Sequence, residues 1–236
     1  MVEGDGQSAR GLNLILHEDE GQFNLIQPTN YSVLFVNPEY DPVNQPFEEE
    51  YRGDIALLRV PDLINMKNVN YPVLPTSREQ VNANPILVAG GVGLDETQDT
   101  ADRLEFVTVS MMTPLGVTPD WSPFPIESDH FTTLDSRGQD QDTCEGDSGG
   151  GIFIPSKNWV AFANDPEIQA NADELTSAED VLVGITSYGS GDYKCGSNGT
   201  FGVYTDVLYW KEWIEATIQR QEELESKGDN ILPTTA

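Results

Sequence analysis

Asp142 to Phe153 reads DTCEGDSGGGIF, and this stretch decides how the rest of the chain is interpreted. An aspartate, a cysteine and a glycine-flanked serine lie within seven positions, and an apolar run follows them. Glycines beside Ser148 permit a tight turn, because glycine adopts backbone angles that other residues avoid. A serine presented on such a turn is a candidate nucleophile if a base can reach it. The two histidines of the sequence, His17 and His130, both precede it.

The composition excludes several classes of function. Among 236 residues, 40 Asp and Glu against 12 Lys and Arg give a net charge of −28. Such a charge repels phosphate backbones and anionic lipids, so we expect neither nucleic-acid nor membrane binding. No apolar run approaches the length of a membrane helix. Acidic runs at Glu18–Glu20 and Glu48–Glu50 lack EF-hand spacing and are typical of solvated faces, so we expect no metal and no cofactor.

Short apolar runs separated by turn-rich segments predict an all-β fold. With no helical periods between them, they favour an antiparallel sandwich or barrel over a βαβ arrangement. The predicted strands are 12–16, 31–36, 55–60, 86–89, 104–109, 151–154, 181–186 and 202–207.

Two further segments differ from the strand pattern. Leu208–Leu224 places Tyr209, Trp213, Ala216 and Arg220 at helical spacing and predicts an amphipathic C-terminal helix. Asn158–Asp180 is rich in Asn, Asp, Glu and Ala and predicts a long surface loop. Without an internal repeat or a clear linker, we expect one compact unit.

The serine turn formally matches G-x-S-x-G, the nucleophile elbow of α/β-hydrolases. That fold requires alternating strands and helices and a histidine after the serine. This chain is rich in β-strands and has no histidine after Ser148, so the elbow interpretation is rejected.

Four motifs occur in the order of another family. Thr143–Gly150 reads TCEGDSGG and Gly53–Leu58 reads GDIALL; Ser187–Gly189 reads SYG, and Gly202–Val207 reads GVYTDV ahead of Trp213-Ile214. Together they resemble the chymotrypsin/trypsin-like serine proteases, peptidase family S1. The resemblance implies a double antiparallel β-barrel whose first barrel is incomplete here, followed by a C-terminal α-helix. We expect this domain over 1–225 and a polar tail over 226–236.

The resemblance also implies catalytic roles. Ser148 would attack a peptide carbonyl, and the backbone N–H groups of Gly146 and Ser148 would form the oxyanion hole. Asp54 would accept the Nδ1 proton of a catalytic histidine. The alternatives are a plain turn serine at Ser148 and a turn aspartate at Asp54.

Substrate contacts follow from the same resemblance. Asp142 matches the floor of the primary specificity pocket, which implies cleavage after Arg or Lys. Ser187 and Gly189 match the strand that lines the cleft, and Gly189 and Gly202 match the pocket walls. We expect partners to be polypeptides with Arg or Lys at the cleavage site, together with protein protease inhibitors. The alternative is that Asp142 is a surface residue of an acidic loop.

Cys144 and Cys195 are the two cysteines, and they fall where the family joins the serine loop to the pocket loop. The resemblance therefore implies a disulfide, an oxidising compartment and an extracellular location, with a signal peptide upstream of this chain. Two free thiols are the alternative.

The resemblance fails at its catalytic histidine. The family's A-A-H-C-type motif has no counterpart, and the chain is expected to begin after it. His17 ends the strand that should follow that motif, and His130 comes after Asp54 instead of before it. Asp147 also lacks the apolar N-terminal amine that orders the family's oxyanion hole. We expect an N-terminally truncated serine endopeptidase, inactive in this form; the alternative is a non-catalytic homologue acting as a binding module.

Overall fold

The structure is a computed structural model that describes most strands of the chain. It covers residues 7–8, 14–18, 22–26, 33–41, 51–59, 71–84, 86–94, 101, 104–113, 128–135, 141–162, 166–170, 172–173, 175, 178–189, 195–196 and 200–227. The predicted tail therefore lies outside the described residues from position 228 onward.

Six antiparallel strands form a closed barrel in the order β10-β11-β8-β7-β6-β9. Its members are β6 (Leu87–Gly91), β7 (Glu105–Thr113), β8 (His130–Asp135), β9 (Gly151–Ile154), β10 (Val181–Gly189) and β11 (Gly202–Asp206). Inward-facing apolar side chains fill the barrel, among them Leu87, Val109, Phe131, Ile152, Val183 and Tyr204. Alternation along each strand sends one set of side chains into this core.

The N-terminal part forms an open sheet and a hairpin. Strands β1 (Gln7–Ser8), β4 (Val33–Val36) and β5 (Ala56–Arg59) make a three-stranded sheet in the order β1-β4-β5, and β2 (Leu14–Glu18) pairs with β3 (Gln22–Ile26). The predicted fold, one complete barrel beside an incomplete one, is confirmed by this arrangement.

The segment predicted as a surface loop is partly helical, so that prediction was wrong. It contains α2 (Trp159–Phe162) and α3 (Pro166–Ala170), following the earlier α1 (Arg78–Asn82). Ile168 and Leu175 are buried with Val88 of β6. Their burial against the outside of the barrel stabilises a segment whose composition alone is typical of a loop.

The C-terminal helix α4 spans Lys211–Ser226, slightly later than predicted. Of the residues predicted at helical spacing, Tyr209 is exposed and Trp213 packs against the core, where Trp210 and Ile214 are buried. These two side chains pack with Ile55 and Val207. The start of the helix therefore joins the barrel to the segment that carries Asp54. No described helix has both the length and the apolar character needed to cross a bilayer.

Candidate active site

The serine turn requires glycine at Gly146. Its φ of 98° lies in the left-handed region, and a Cβ there would lie 3.0 Å from the Gly93 Cα. The turn closes where the Asp147 N–H donates to the Cys144 carbonyl at 3.0 Å. Ser148 follows on the exposed side of this turn.

Two backbone donors beside the serine are available to a ligand. Among hydrogen bonds between described residues, none uses the backbone N–H of Gly146 or Ser148, and none uses the Ser148 hydroxyl. Both residues are exposed. The candidate nucleophile and the two residues of the predicted oxyanion hole therefore lie at the surface, with these groups unpaired among the described residues.

Backbone amides hold the carboxylate of Asp147. Its Oδ1 accepts from the Gly93 N–H at 2.7 Å, and its Oδ2 accepts from the Cys144 N–H at 2.8 Å. Within the described part of the chain, Asp147 makes no ion pair, so these amides provide its stabilisation. Hydrogen bonds to a charged acceptor are stronger than neutral ones.

Asp54 is fixed by the barrel although it precedes a strand of the open sheet. Its Oδ2 accepts from the Ser187 hydroxyl at 2.6 Å, and its carbonyl accepts from the Thr205 hydroxyl at 2.8 Å. Gly53, just before it, has a φ of 70°, and a Cβ there would lie 3.0 Å from the Tyr40 nitrogen. Strands β10 and β11 thus determine both the backbone and the carboxylate of Asp54.

Two consecutive residues of β10 connect the aspartate to the serine turn. The Thr186 carbonyl accepts from the Gly149 N–H at 2.9 Å, and the Thr186 N–H donates to the Gly150 carbonyl at 2.8 Å. The next residue, Ser187, donates to Asp54. The candidate nucleophile and the candidate orienting carboxylate are therefore held by neighbouring positions of one strand.

The predicted pocket residues also lie together. Gly189 of β10 and Gly202 of β11 are paired across the ladder. A Cβ at Gly202 would lie 2.8 Å from the Oδ1 of Asp142, which is half-buried and accepts from the Thr143 N–H at 2.8 Å. The Asp142 carboxylate thus lies directly against the backbone of Gly202, where a side chain would collide with it.

Tyr204, which is fully buried, lies next to the Asp142 carboxylate on the side of the barrel interior. Its hydroxyl and the Thr143 hydroxyl are 3.0 Å apart. Burial, and then the negative charge of Asp142, raise the pKa of the Tyr204 phenol. The phenol therefore remains a neutral hydrogen-bonding group beside Asp142.

The two cysteines form a disulfide. Cys144 and Cys195 are bonded, with Cα atoms 5.5 Å apart. The bond ties the segment immediately before the serine turn to the segment that precedes β11.

The two histidines have different positions. His130 is fully buried, with Nδ1 3.0 Å from the Asp129 Oδ1 and Nε2 3.3 Å from the Thr205 Oγ1. His17 pairs with Phe23 in the β2–β3 hairpin, and its side chain lies outside the described residues. Both ring nitrogens of His130 are thus engaged, one with Asp129 and the other with Thr205.

Sequence reasoning missed Thr205 and Asp129 as residues of this site. Thr205 stands within the GVYTDV motif, whose threonine carries no recognisable signal for a contact with Asp54. Among the described residues, no group of three or more His, Cys, Asp or Glu is placed to hold a metal ion. The acidic runs Glu18–Glu20 and Glu48–Glu50 lie outside that part, apart from the backbone of Glu18.

Comparison with known proteins settles the family. The sequence model named Trypsin matches residues 15–214, from β2 into α4. The chain belongs to the trypsin family.

Individual relatives have low sequence identity to this chain, but the similarity covers most of its length. The chain is 26% identical over 220 residues to Trypsin-1 of Astacus astacus, covering 90% of this chain and 78% of that protein. It is 24% identical over 208 residues to CLIP domain-containing serine protease B4 of Anopheles gambiae, covering 85% of this chain and 50% of that protein. It is 27% identical over 180 residues to Spaetzle-processing enzyme of Drosophila melanogaster, covering 74% and 40%. The chain thus spans half or less of the two insect relatives.

Proposed function

We propose that this chain is a serine endopeptidase specific for peptide bonds after Arg or Lys, in a form that is inactive until a base is supplied. Ser148 is the nucleophile, and Asp54 orients the imidazole of a histidine base. The observation that carries the proposal is the β10 connection, in which Thr186 holds the serine turn and Ser187 holds the Asp54 carboxylate. Two groups that must cooperate are thereby kept in a fixed relation by one strand.

The chemistry follows from the groups at the turn. The Ser148 hydroxyl loses its proton to the base as its oxygen attacks the substrate carbonyl, forming a tetrahedral oxyanion. The N–H groups of Gly146 and Ser148 donate to that oxyanion. The protonated base then gives its proton to the leaving amine, which produces an acyl-enzyme that water hydrolyses. Asp54 stabilises the imidazolium while it is charged.

Asp142 supports the specificity for basic residues. It is a half-buried carboxylate that lies against Gly202, and neither Gly202 nor its ladder partner Gly189 contributes a side chain that would shield it from a ligand. A guanidinium or ammonium group there forms charge-assisted hydrogen bonds. Protein inhibitors that present Arg or Lys would bind the same pocket. The disulfide supports an extracellular location, because such bonds persist in oxidising compartments.

The role of Ser148 as nucleophile can be tested with imidazole added to the solution as the base. His130 is occupied in the interior, and the side chain of His17 lies outside the described residues. We expect a fluorophosphonate probe to label Ser148 at a rate that rises with added imidazole, and the S148A variant to remain unlabelled. A folded chain in which Ser148 is not labelled at any imidazole concentration would refute the proposal. If that chain still bound a basic peptide, the function would be that of a non-catalytic binding module.

The specificity test uses two charge-removing variants of the same loop. We expect D142N to lose about 100-fold in kcat/KM for substrates with Arg or Lys, as is typical when one partner of a buried charge pair is removed. Glu145 is exposed and has the same charge. E145Q is therefore the matched control and should retain the preference. An equal loss in both variants would indicate a general effect of charge and would contradict a pocket role for Asp142.

A further inference from the structure

A buried acid and a buried histidine lie beneath the Asp54 turn. Asp129 and His130 have no exposed surface. They stand at the start of β8, and Asp129 Oδ1 lies 3.0 Å from His130 Nδ1. Burying a charged group is costly unless it is fully hydrogen-bonded. The proposed protease chemistry uses neither residue directly, so their burial requires another explanation.

The second oxygen of Asp129 contacts two other parts of the fold. Its Oδ2 accepts from the Gly53 N–H at 2.8 Å and from the Trp210 indole N–H at 2.9 Å. Gly53 immediately precedes Asp54, and Trp210 immediately precedes α4. Burial acts to raise the pKa of Asp129, but the hydrogen bonds from His130, Gly53 and Trp210 lower it below its ordinary value. Asp129 is therefore a carboxylate at neutral pH.

A second route leads from Asp129 to the same turn. A carboxylate only accepts, so the His130 Nδ1–H donates to Asp129. The Thr205 hydroxyl donates its single proton to the Asp54 carbonyl at 2.8 Å. It therefore accepts from the His130 Nε2, 3.3 Å away, so this route is complete when both ring nitrogens of His130 carry a proton. The first route ends on the N–H of Gly53 and the second on the C=O of Asp54. The two routes thus hold the backbone on both sides of the Asp54 Cα.

We propose that Asp129 is a positioning residue for Asp54. It acts through the Gly53 N–H and through the His130–Thr205 series, and it fixes the distance between the Asp54 carboxylate and Ser187. The inference rests on the proposed function in assigning the orienting role to Asp54. Asp142 accepts from the Thr143 N–H and lies against Gly202, whereas Asp129 accepts from the Gly53 and Trp210 N–H groups, on the side of the Asp54 turn. Loss of Asp129 should therefore affect turnover and leave substrate binding intact.

Four variants separate positioning from stability. D129A removes both routes. D129N is the conservative variant: its amide oxygen can accept from Gly53 and Trp210, and its NH₂ can donate to His130 Nδ1. W210F is the matched control, because it removes one donor to the same oxygen and leaves the Gly53 bond in place. T205V cuts the second route without removing a buried charge, which keeps the proposal testable if D129A fails to fold.

The readouts are kcat and KM for an Arg substrate with imidazole supplied, and the affinity for benzamidine, a small cation that fits a basic-residue pocket. We expect D129A to lose about tenfold or more in kcat, because a shift of about 1 Å in a positioning group has such effects. T205V should lose less, and D129N and W210F should remain within about threefold of the parent, with KM and benzamidine affinity unchanged in all four.

Either of two results overturns the inference. One is a folded D129A or T205V with parental kcat; the other is a parallel loss of kcat and benzamidine affinity. If the parent chain itself shows no turnover and no labelling, the proposed function fails. Amide exchange at Gly53 then decides the positioning role separately: it should accelerate in D129A and stay slow in D129N and W210F. Unchanged exchange in D129A would exclude that Asp129 holds the turn.

Discussion

Replacing Gly91 by Ala should disturb the serine turn, because a new side chain there would displace the Asp147 carboxylate. A Cβ at Gly91 would lie 1.9 Å from the Asp147 Oδ1, far inside van der Waals contact. The backbone of Gly91 is paired with Glu105 in the β6–β7 ladder, so it cannot retreat. The carboxylate of Asp147 has to move instead, away from the amides of Gly93 and Cys144.

The magnitude follows from the two hydrogen bonds that are lost. Each bond to a charged group contributes about 1.5–3 kcal/mol, and the lower end applies because Asp147 is only half-buried. We therefore expect G91A to lower the free energy of unfolding by about 3 kcal/mol, or the urea midpoint by roughly 1–2 M. Because Asp147 adjoins Ser148, labelling of the serine should fall as well.

Urea unfolding of G91A and G90A is the assay. Gly90 is the matched control on the same strand, where a new Cβ would meet the ring of Phe106 at 2.8 Å. That ring is 48% exposed and can swing into solvent. G90A should therefore stay within about 1 kcal/mol of the parent. Equal losses in the two variants, or a parental midpoint for G91A, would refute the role given to the Asp147 carboxylate.

Three further outcomes are expected. Replacing both Cys144 and Cys195 by Ser should cost about 4 kcal/mol in urea unfolding, because the bridge closes a separation of 51 residues; a loss below about 1 kcal/mol would contradict this. Asp129 has a lowered pKa in the folded protein. Its contribution to stability is therefore fully present above a pH of about 3.8, the ordinary pKa, and is lost as the pH falls through its pKa in the folded state. The stability gap between the parent and D129N should therefore close with acidification, and a constant gap would be inconsistent. Tyr204 has a raised pKa, so it should stay protonated up to a pH of about 11. The absorbance at about 295 nm should therefore rise equally in Y204F and in the folded parent up to that pH. If Tyr204 ionised normally, the rise in Y204F would be smaller by the share of one of the eight tyrosines, which would contradict the prediction.

The sequence predicted the parts of the fold that have local signals. Alternating apolar runs located most strands, and local motifs brought out the serine turn, Asp54 and the pocket residues. Strand β8 was not predicted, because HFTTLD reads as polar. Its Thr132 and Thr133 are nevertheless fully buried, along with His130. Burial of polar residues depends on partners elsewhere in the fold, which hydrophobic periodicity does not reveal.

The helices show the same limit. Ile168 and Leu175 stand among acidic and amide residues, so their burial depends on the surface that Val88 offers. Just before α4, Trp210 is buried and Tyr209 is exposed, although both are aromatic and only packing distinguishes them. In the site, contacts from Thr205 and Asp129 span 151 and 76 residues of sequence. Contacts at such separations leave no pattern in a single sequence.

The most direct test of the central claim is the intact mass of the chain after incubation with two diphenyl phosphonates in imidazole buffer. One phosphonate carries a benzamidine side chain, which imitates arginine, and the other carries a phenylalanine side chain. We expect one adduct, on Ser148, with the benzamidine phosphonate only, and none in S148A. An equal reaction with the phenylalanine phosphonate would contradict the assignment of Asp142, and no adduct on folded protein would contradict the assignment of Ser148.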